Sequence, residues 1–182
     1  MKIAIIGYSG SGKSTLAKQL GEFYNFPVLY LDTVQFEANW KERNVETAIN
    51  MVKRFLDNND NWVIDGNYTA LLRDRRLEEA DIIIYMCFSR LTCLYQAYNR
   101  YKKYKGKTRE SMTPGCNEKL DFEFIKWILL DGRSKEKKKQ YAETIQKYSE
   151  KIVILRNRKE IESYLDGLKK DLKEDNNNET KR

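Results

Sequence analysis

Residues 7–15 of the chain read Gly7-Tyr8-Ser9-Gly10-Ser11-Gly12-Lys13-Ser14-Thr15. The stretch matches G-x-x-x-x-G-K-[ST], a pattern in which glycines let the backbone curl until successive amides point at phosphate oxygens. An apolar run at residues 2–6 precedes it, and an apolar stripe at helical spacing follows it, formed by Leu16, Leu20 and Phe23. A strand, a glycine-rich turn and a helix in this order predict a phosphate-binding loop.

The last residues of the loop have separate predicted roles. Lys13 is expected to reach the β- and γ-phosphates of a bound nucleotide, and the Ser14 hydroxyl is expected to ligate Mg²⁺. No guanine-reading N/TKxD motif follows a predicted strand, which favours ATP over GTP. The sequence therefore predicts ATP and Mg²⁺ as cofactors.

The remaining apolar runs predict the architecture. They lie at residues 28–31, 62–64, 82–87 and 152–155, and each is short, nearly continuous and rich in Ile or Val. Such runs are typical of strands buried on both faces of a parallel sheet. Helical patterns separate them, so we predict right-handed βαβ units in a three-layer α/β domain.

The 182 residues are expected to form one domain over residues 1–168, followed by a flexible tail at 169–182. The segment between the fourth and fifth strands, about residues 89–150, is too long for a simple crossover. It predicts two or three helices and a mobile lid at about residues 100–139.

Charge is concentrated in that segment. The whole chain carries a net charge of +7, and residues 100–139 contain thirteen Lys or Arg against six Asp or Glu. A field of this kind attracts phosphates of a nucleotide or of a nucleic acid, although solvated helical surfaces have the same composition.

Several functional classes are excluded or disfavoured by composition. The chain has no histidine, which excludes histidine acid–base catalysis, and its three cysteines form no CxxC pair. No apolar run is long enough to cross a bilayer, and the first six residues are too short for a signal-peptide core. We expect a cytoplasmic protein without a disulfide framework.

Two carboxylates follow predicted strands. Asp65 ends the run Trp62-Val63-Ile64-Asp65, and the carboxyl ends of parallel strands are where such sheets bind ligands. Asp65 is predicted to hold Mg²⁺ through a water; the alternative is an ordinary Asp-Gly turn. Asp32 ends the second strand and is predicted to orient or deprotonate an acceptor hydroxyl, or else to cap a helix.

Phosphoryl transfer requires cations around the migrating group. The candidates are Arg76, Arg100, Arg109 and Arg133, since arginine stays charged and binds phosphate through two nitrogens. For each one a solvated surface position is the alternative.

The sequence predicts mainly structural roles for the cysteines and tyrosines. Cys87, Cys93 and Cys116 have no activating base nearby in sequence. The tyrosines at positions 95, 98, 101 and 104 alternate with lysines and could stack on nucleic-acid bases. Helical spacing favours core packing for Tyr95 and Tyr98.

Beyond the loop, several segments carry a family resemblance. They are Leu31-Asp32, WVIDGNY at residues 62–68, RLEEAD at 76–81 and TRESMTPGCNEKLDFEFIKW at 108–127. On these segments the chain, from residue 2 to about 165, resembles the adenylate-kinase-related P-loop proteins catalogued as DNA topology modulation proteins.

The resemblance implies a nucleoside-monophosphate-kinase-like fold with five parallel strands in the order 2-3-1-4-5, a helical lid and the use of ATP. The adenylate kinase signature Asp-Gly-Phe-Pro-Arg is absent, since Asn67-Tyr68 follows Asp65-Gly66, so AMP is not the predicted acceptor. The family's Arg-Arg-Pro segment is also replaced here, by Arg133-Ser134-Lys135.

Two functions follow from these observations. The first is an ATP-dependent phosphotransferase acting on a small molecule or nucleotide, with Lys13, Asp32, Asp65 and arginines at the reacting groups. The second is a protein that binds nucleic acid under the control of ATP and affects DNA topology. A fold that only hydrolyses ATP slowly is a third, weaker alternative.

Overall fold

The protein is organised around a five-stranded parallel sheet. The computed structural model describes the backbone of residues 1–179 and the side chains of residues 1–170. Its strands are β1 (Lys2–Gly7), β2 (Val28–Tyr30), β3 (Trp62–Asp65), β4 (Ile82–Met86) and β5 (Ile152–Leu155). They are ordered β2-β3-β1-β4-β5 and every neighbouring pair is parallel, which confirms the predicted strand order.

Within residues 1–179, eight α-helices connect or follow the strands. Their bounds are α1 (Lys13–Tyr24), α2 (Leu31–Gln35), α3 (Val45–Asn58), α4 (Arg73–Glu79), α5 (Arg90–Tyr104), α6 (Phe122–Leu129), α7 (Lys135–Lys147) and α8 (Arg158–Glu179). Short 3₁₀ turns lie at Ala38–Trp40 and Asp131–Arg133. Helices α5, α6 and α7 fill the long segment between β4 and β5, as the sequence predicts.

The strand sequences are continuously apolar because the sheet is buried on both faces. All four residues of β3 are buried, as are five of the six in β1. Such strands need no polar alternation. The central position of β1 between β3 and β4 places the end of β1 beside Asp65 and Met86.

Side-chain caps start the helices of the long segment. Ser89, Asp121 and Ser134 accept hydrogen bonds from backbone amides in the first turns of α5, α6 and α7. Each cap satisfies one of the amides that a helix start leaves unpaired. The sequence thus specifies where each helix of this segment begins.

The structure corrects the predicted orientation of α5. Tyr95 and Tyr98 are 66% and 48% exposed, so the predicted core packing of both residues is wrong. The small side chains of Cys93 and Ala97 face the core instead. They allow the helix to approach the phosphate loop closely, which larger residues would prevent.

The ends of the chain add two observations. The predicted tail covers residues 169–182. Helix α8 extends through its first part, to Glu179, and residues 180–182 lie outside the described residues. The flexibility of that tail stays a prediction. No helix within the described residues has the length and apolarity needed to cross a membrane.

Candidate functional site

The phosphate loop joins β1 to α1 and requires glycine at two close approaches. Gly7 has φ +141° and Gly10 has φ +80°. A Cβ atom on Gly7 would lie 2.4 Å from the Met86 carbonyl oxygen, and one on Gly10 would lie 2.4 Å from that of Cys93. Both contacts are with backbone, so no side-chain movement would relieve them. The loop is therefore held between β4 and α5.

Two polar groups of the loop are poised for an anion. Lys13 Nζ donates to the Tyr8 carbonyl oxygen at 3.0 Å, which folds the ammonium over the loop. Ser11 Oγ is buried and has no hydrogen-bond partner. A buried hydroxyl without a partner costs free energy unless a ligand satisfies it. A phosphate oxygen in the loop would do so.

Ser14 and Asp65 form the centre predicted for a metal ion. Ser14 Oγ donates to Asp65 Oδ2 at 2.6 Å, and Asp65 Oδ1 is buried without a partner. Burial raises the pKa of Asp65 from 3.8 to about 6, although Lys13 partly offsets this. A hydroxyl and an unsatisfied carboxylate oxygen are ligands that suit Mg²⁺. The two residues therefore fit the predicted ion.

Asp32 lies in the first turn of α2, two residues after β2 ends. Tyr68 Oη donates to Asp32 Oδ1 at 2.8 Å. Burial, together with the charge of Asp32, raises the pKa of Tyr68 and keeps its hydroxyl protonated as a donor. Both residues line the same cleft as Ser14 and Asp65. Asp32 thus has one oxygen fixed by Tyr68, and within the described residues no donor contacts the other.

Arg100 and Arg109 share one buried carboxylate. Arg100 Nε donates to Glu118 Oε1 at 2.7 Å, and Arg109 Nε donates to Glu118 Oε2 at 2.5 Å. Burial lowers the pKa of Arg100, and the Arg109 charge adds to this effect. The carboxylate lets two guanidinium groups lie close together on the lid side of the cleft. Together the three residues carry one net positive charge.

Arg76 does not face the cleft, which corrects its predicted role. Its guanidinium is 1% exposed and donates to the carbonyl oxygens of Leu71, Gly66 and Tyr68. All its contacts hold the loop that follows β3. Arg76 therefore supports the position of Asp65 and is not presented to a phosphoryl group.

Arg133 is buried in the same way and also departs from its predicted role. It donates to the carbonyl oxygens of Ile128 and Phe88, and its Cζ lies 3.6 Å from the centroid of the Tyr8 ring. The guanidinium thus packs against the Tyr8 ring of the phosphate loop. It connects the turn between α6 and α7 to the loop without reaching the cleft.

Asn67 is a site residue that the sequence reasoning missed. Its Oδ1 accepts from the Gly7 amide at 3.0 Å, and its Nδ2 donates to the Gly7 carbonyl oxygen and, at 2.8 Å, to Tyr141 Oη. The side chain therefore fixes both backbone polar groups of the first loop glycine. The signal in the sequence was the polar residue two positions after Asp65, at the end of the strand beside β1.

Trp127 and Lys137 were also missed. Trp127 Nε1 donates to Ser9 Oγ at 3.1 Å, so α6 touches the phosphate loop directly. Lys137, in the first turn of α7, is half-buried and lines the cleft, while its neighbours Lys135 and Lys138 are exposed. Only the packing of α7 distinguishes this lysine from the others in its run.

One cleft of about 1520 Å³ is lined by Lys13, Ser14, Asp32, Asp65, Tyr68, Arg100 and Arg109, whereas Arg76 and Arg133 do not line it. It extends from the start of α8, past the phosphate loop, to the space between α2 and the lid. Its volume is sufficient for a nucleotide and a second small molecule.

Comparisons with known proteins identify the fold. The structure of a deoxyadenosine kinase from M. mycoides with bound dATP has a TM-score of 0.53 at 16% identity, covering 93% of this chain and 100% of that chain. The same enzyme with products dCMP and a flexible dCDP gives 0.51, with the same identity and coverage. A shikimate kinase from Bacteroides thetaiotaomicron gives 0.48 at 16% identity, covering 95% of this chain and 98% of that chain.

No protein-family model and no curated protein matches the sequence. The structural likeness shows that the chain shares the α/β fold of this deoxyadenosine kinase. The resemblance to the topology modulation family stays a prediction.

Proposed function

We propose that this chain is a phosphotransferase that moves the γ-phosphoryl group of Mg-ATP to the hydroxyl of a small acceptor. The observation that carries the proposal is the pair Ser14–Asp65 beside the phosphate loop, with its unsatisfied Asp65 Oδ1. The fold is shared with a deoxyadenosine kinase whose structure holds dATP, and we extend nucleotide binding from that protein to this chain.

The residues divide into three groups in the proposed reaction. The loop amides and Lys13 hold the β- and γ-phosphates, and Ser14 and Asp65 hold the metal ion. Mg²⁺, when bound, supplies charge neutralisation on the phosphate oxygens. Arg100 and Arg109, joined by Glu118, face the transferring group from the lid side.

The transfer step assigns the proton to Asp32. The acceptor oxygen forms a bond to the γ-phosphorus while the bond from that phosphorus to the β–γ bridging oxygen breaks, and ADP leaves. The hydroxyl proton passes to the Asp32 oxygen that Tyr68 does not occupy. Closure of the lid excludes water, which would otherwise accept the phosphoryl group.

Nucleic-acid binding gains no specific support from the described residues. Five of the thirteen Lys and Arg at residues 100–139 form ion pairs, among them Lys119 with Asp121, Lys126 with Asp131 and Lys139 with Glu143. The buried Arg133 cannot reach a nucleic-acid backbone. We therefore prefer the phosphotransferase.

The test is calorimetry with ATP and MgCl₂, followed by transfer of label from γ-³²P-ATP to a panel of nucleosides, nucleoside monophosphates, sugars and hydroxy acids. Lys13→Ala should lower transfer by about a hundredfold or more, because it removes charge stabilisation of the transition state. Lys53→Ala, an exposed change on α3, is the matched control. Absence of Mg-ATP binding by folded protein, or full turnover by Lys13→Ala, would refute the assignment.

A further inference from the structure

One side of the cleft, beyond Asp65, is formed by acidic and aromatic side chains. We call it the acceptor wall: Asp32, Phe36, Trp40, Glu42 and Tyr68. Within residues 31–42 and 65–69, all of them described, no Lys or Arg lines the cleft. The wall thus carries two carboxylates and three aromatic rings.

Cations near the wall in sequence point elsewhere. Arg43 Nε donates to the Val34 carbonyl oxygen at 2.9 Å, on the inner side of α2. Lys41 pairs with Glu37 at 3.2 Å. Neither residue lines the cleft. Residues 31–43, all of them described, therefore supply no cation to the cleft.

Three of the cations that line the cleft opposite the wall have acidic partners. Lys119 Nζ lies 5.1 Å from the centroid of the Trp40 ring, and its charge is paired with Asp121 at 3.1 Å. Arg100 and Arg109 share Glu118, and the proposed transfer step uses their remaining charge on the γ-phosphoryl group. An acceptor phosphate bound against the wall would lie beside the carboxylates of Asp32 and Glu42.

The aromatic side chains favour a flat acceptor. Phe36 and Trp40 contact each other edge to face, with ring centroids 5.4 Å apart and planes at 68°. Tyr68 is fixed nearby through its bond to Asp32. Rings held in this way offer both faces and edges to a planar group.

We propose that the acceptor is an uncharged hydroxyl compound with a planar ring, of the nucleoside type, and that the acceptor wall discriminates against nucleoside monophosphates. The inference rests on the proposed function and specifies its substrate class. Its physical basis is repulsion between carboxylates and a phosphate, with stacking available to a ring.

Matched pairs of compounds test the inference: deoxyadenosine with dAMP, and thymidine with dTMP. Each is offered to the full-length protein with Mg²⁺ and labelled ATP. We expect a nucleoside to be phosphorylated, with kcat/KM for its monophosphate lower by about a hundredfold, the scale of a close like-charge contact. An equal or higher value for a monophosphate would overturn the inference.

Failure of the inference is separable from failure of the proposed function. Phosphorylation of a monophosphate or of a hydroxy acid in preference to nucleosides leaves the phosphotransferase intact and removes the uncharged acceptor. Calorimetry of each nucleoside in the presence of Mg²⁺ and a non-hydrolysable ATP analogue gives a second readout. If ATP binds and no nucleoside binds or reacts, the inference is wrong while nucleotide binding stands.

A charge reversal on the wall provides a variant test. Glu42→Arg places a cation on the wall and should raise kcat/KM for dAMP relative to deoxyadenosine severalfold. Glu46→Arg makes the same charge change at an exposed position of α3 outside the cleft and should leave that ratio unchanged. Equal ratios in the two variants would contradict a role for the wall in acceptor choice.

Discussion

The buried carboxylate of Asp65 illustrates how a binding site costs stability. Its Oδ1 has no partner and its side chain is screened from water by β1 and α1. Ionising a group in such a place is unfavourable until a cation arrives. Folding therefore holds this residue in a state that suits a ligand better than it suits the free protein.

Asp65→Asn should stabilise the ligand-free protein at pH 8. The folded-state pKa of about 6 is above the ordinary 3.8, so the cost of Asp65 is absent below pH 3.8, grows as the pH rises and is complete above about 6. Removing the charge should raise the free energy of unfolding by about 1–3 kcal/mol at pH 8. Urea unfolding in EDTA at pH 8 and pH 4 measures the difference in the free energy of unfolding between the variant and the original protein.

The increase in the free energy of unfolding caused by Asp65→Asn should shrink towards zero at pH 4. Asp60→Asn, an exposed change, should have little effect at either pH. The variant should also lose the Mg²⁺-dependent part of ATP affinity. A gain of equal size at both pH values would contradict this account of Asp65.

Asn67→Ala should weaken ATP binding more than acceptor binding. It leaves the Gly7 amide and carbonyl without their side-chain partner, at a cost of about 1–3 kcal/mol in stability. The loop then loses its fixed starting point, so KM for ATP should rise severalfold. Asn58→Ala at the exposed end of α3 is the control, and an unchanged KM for ATP would exclude this role.

A motif and a strand end were sufficient to predict which residues would lie near the loop, while the roles of these residues stay predictions. Lys13, Ser14 and Asp65 all lie together beside the loop. Arg76 and Arg133 departed from prediction because burial of a guanidinium depends on carbonyl oxygens brought together by tertiary structure. No spacing in the sequence encodes those acceptors.

At the level of elements, the loop after β3 depends on one arginine from the helix that follows it. Arg76 binds three carbonyl oxygens of residues 66–71 with one planar group. A fork of donors can satisfy carbonyls in several directions, whereas an ammonium is a point charge on a flexible stem. The geometry of Asp65 thus depends on α4.

Arg76→Lys should destabilise the protein by about 2–4 kcal/mol, because buried carbonyls lose charge-assisted partners. Arg54→Lys, at an exposed position of α3, should change the free energy of unfolding by no more than about 0.5 kcal/mol. Chemical unfolding of both variants measures the difference. If the two variants are equally stable, Arg76 does not hold this loop.

Strands were easier to predict than helix orientation. The five apolar runs correspond to β1–β5 within about two residues, since burial on both faces leaves a direct mark on composition. Helix α5 was oriented wrongly because its buried face consists of Cys93 and Ala97. Small residues selected for close approach carry little hydrophobic signal.

For the molecule as a whole, helix α8 closes the core on the β5 side. The side chains of Ile161, Tyr164, Leu165 and Leu168 pack against the core, and among residues 1–170 Leu165 is the last in sequence that lines the cleft. Both the fold and the site therefore need α8 as far as residue 168. This is also the predicted end of the domain.

A chain ending at Lys170 should keep the full free energy of unfolding, within about 0.5 kcal/mol, and the full affinity for Mg-ATP. A chain ending at Asn157 lacks α8 and should fail to unfold cooperatively. Thermal unfolding with and without Mg-ATP compares the two. Loss of cooperativity in the longer chain would place part of the fold beyond residue 170.

Glu118 carries a consequence for descent. The Glu118 carboxylate pairs with both Arg100 and Arg109. Loss of the Glu118 charge alone would leave two guanidinium groups repelling each other, and loss of both arginines would leave a buried carboxylate without a cation. Lineages that diverged from this chain should therefore retain or replace Arg100, Arg109 and Glu118 as a set, and covariation among the three would record that constraint.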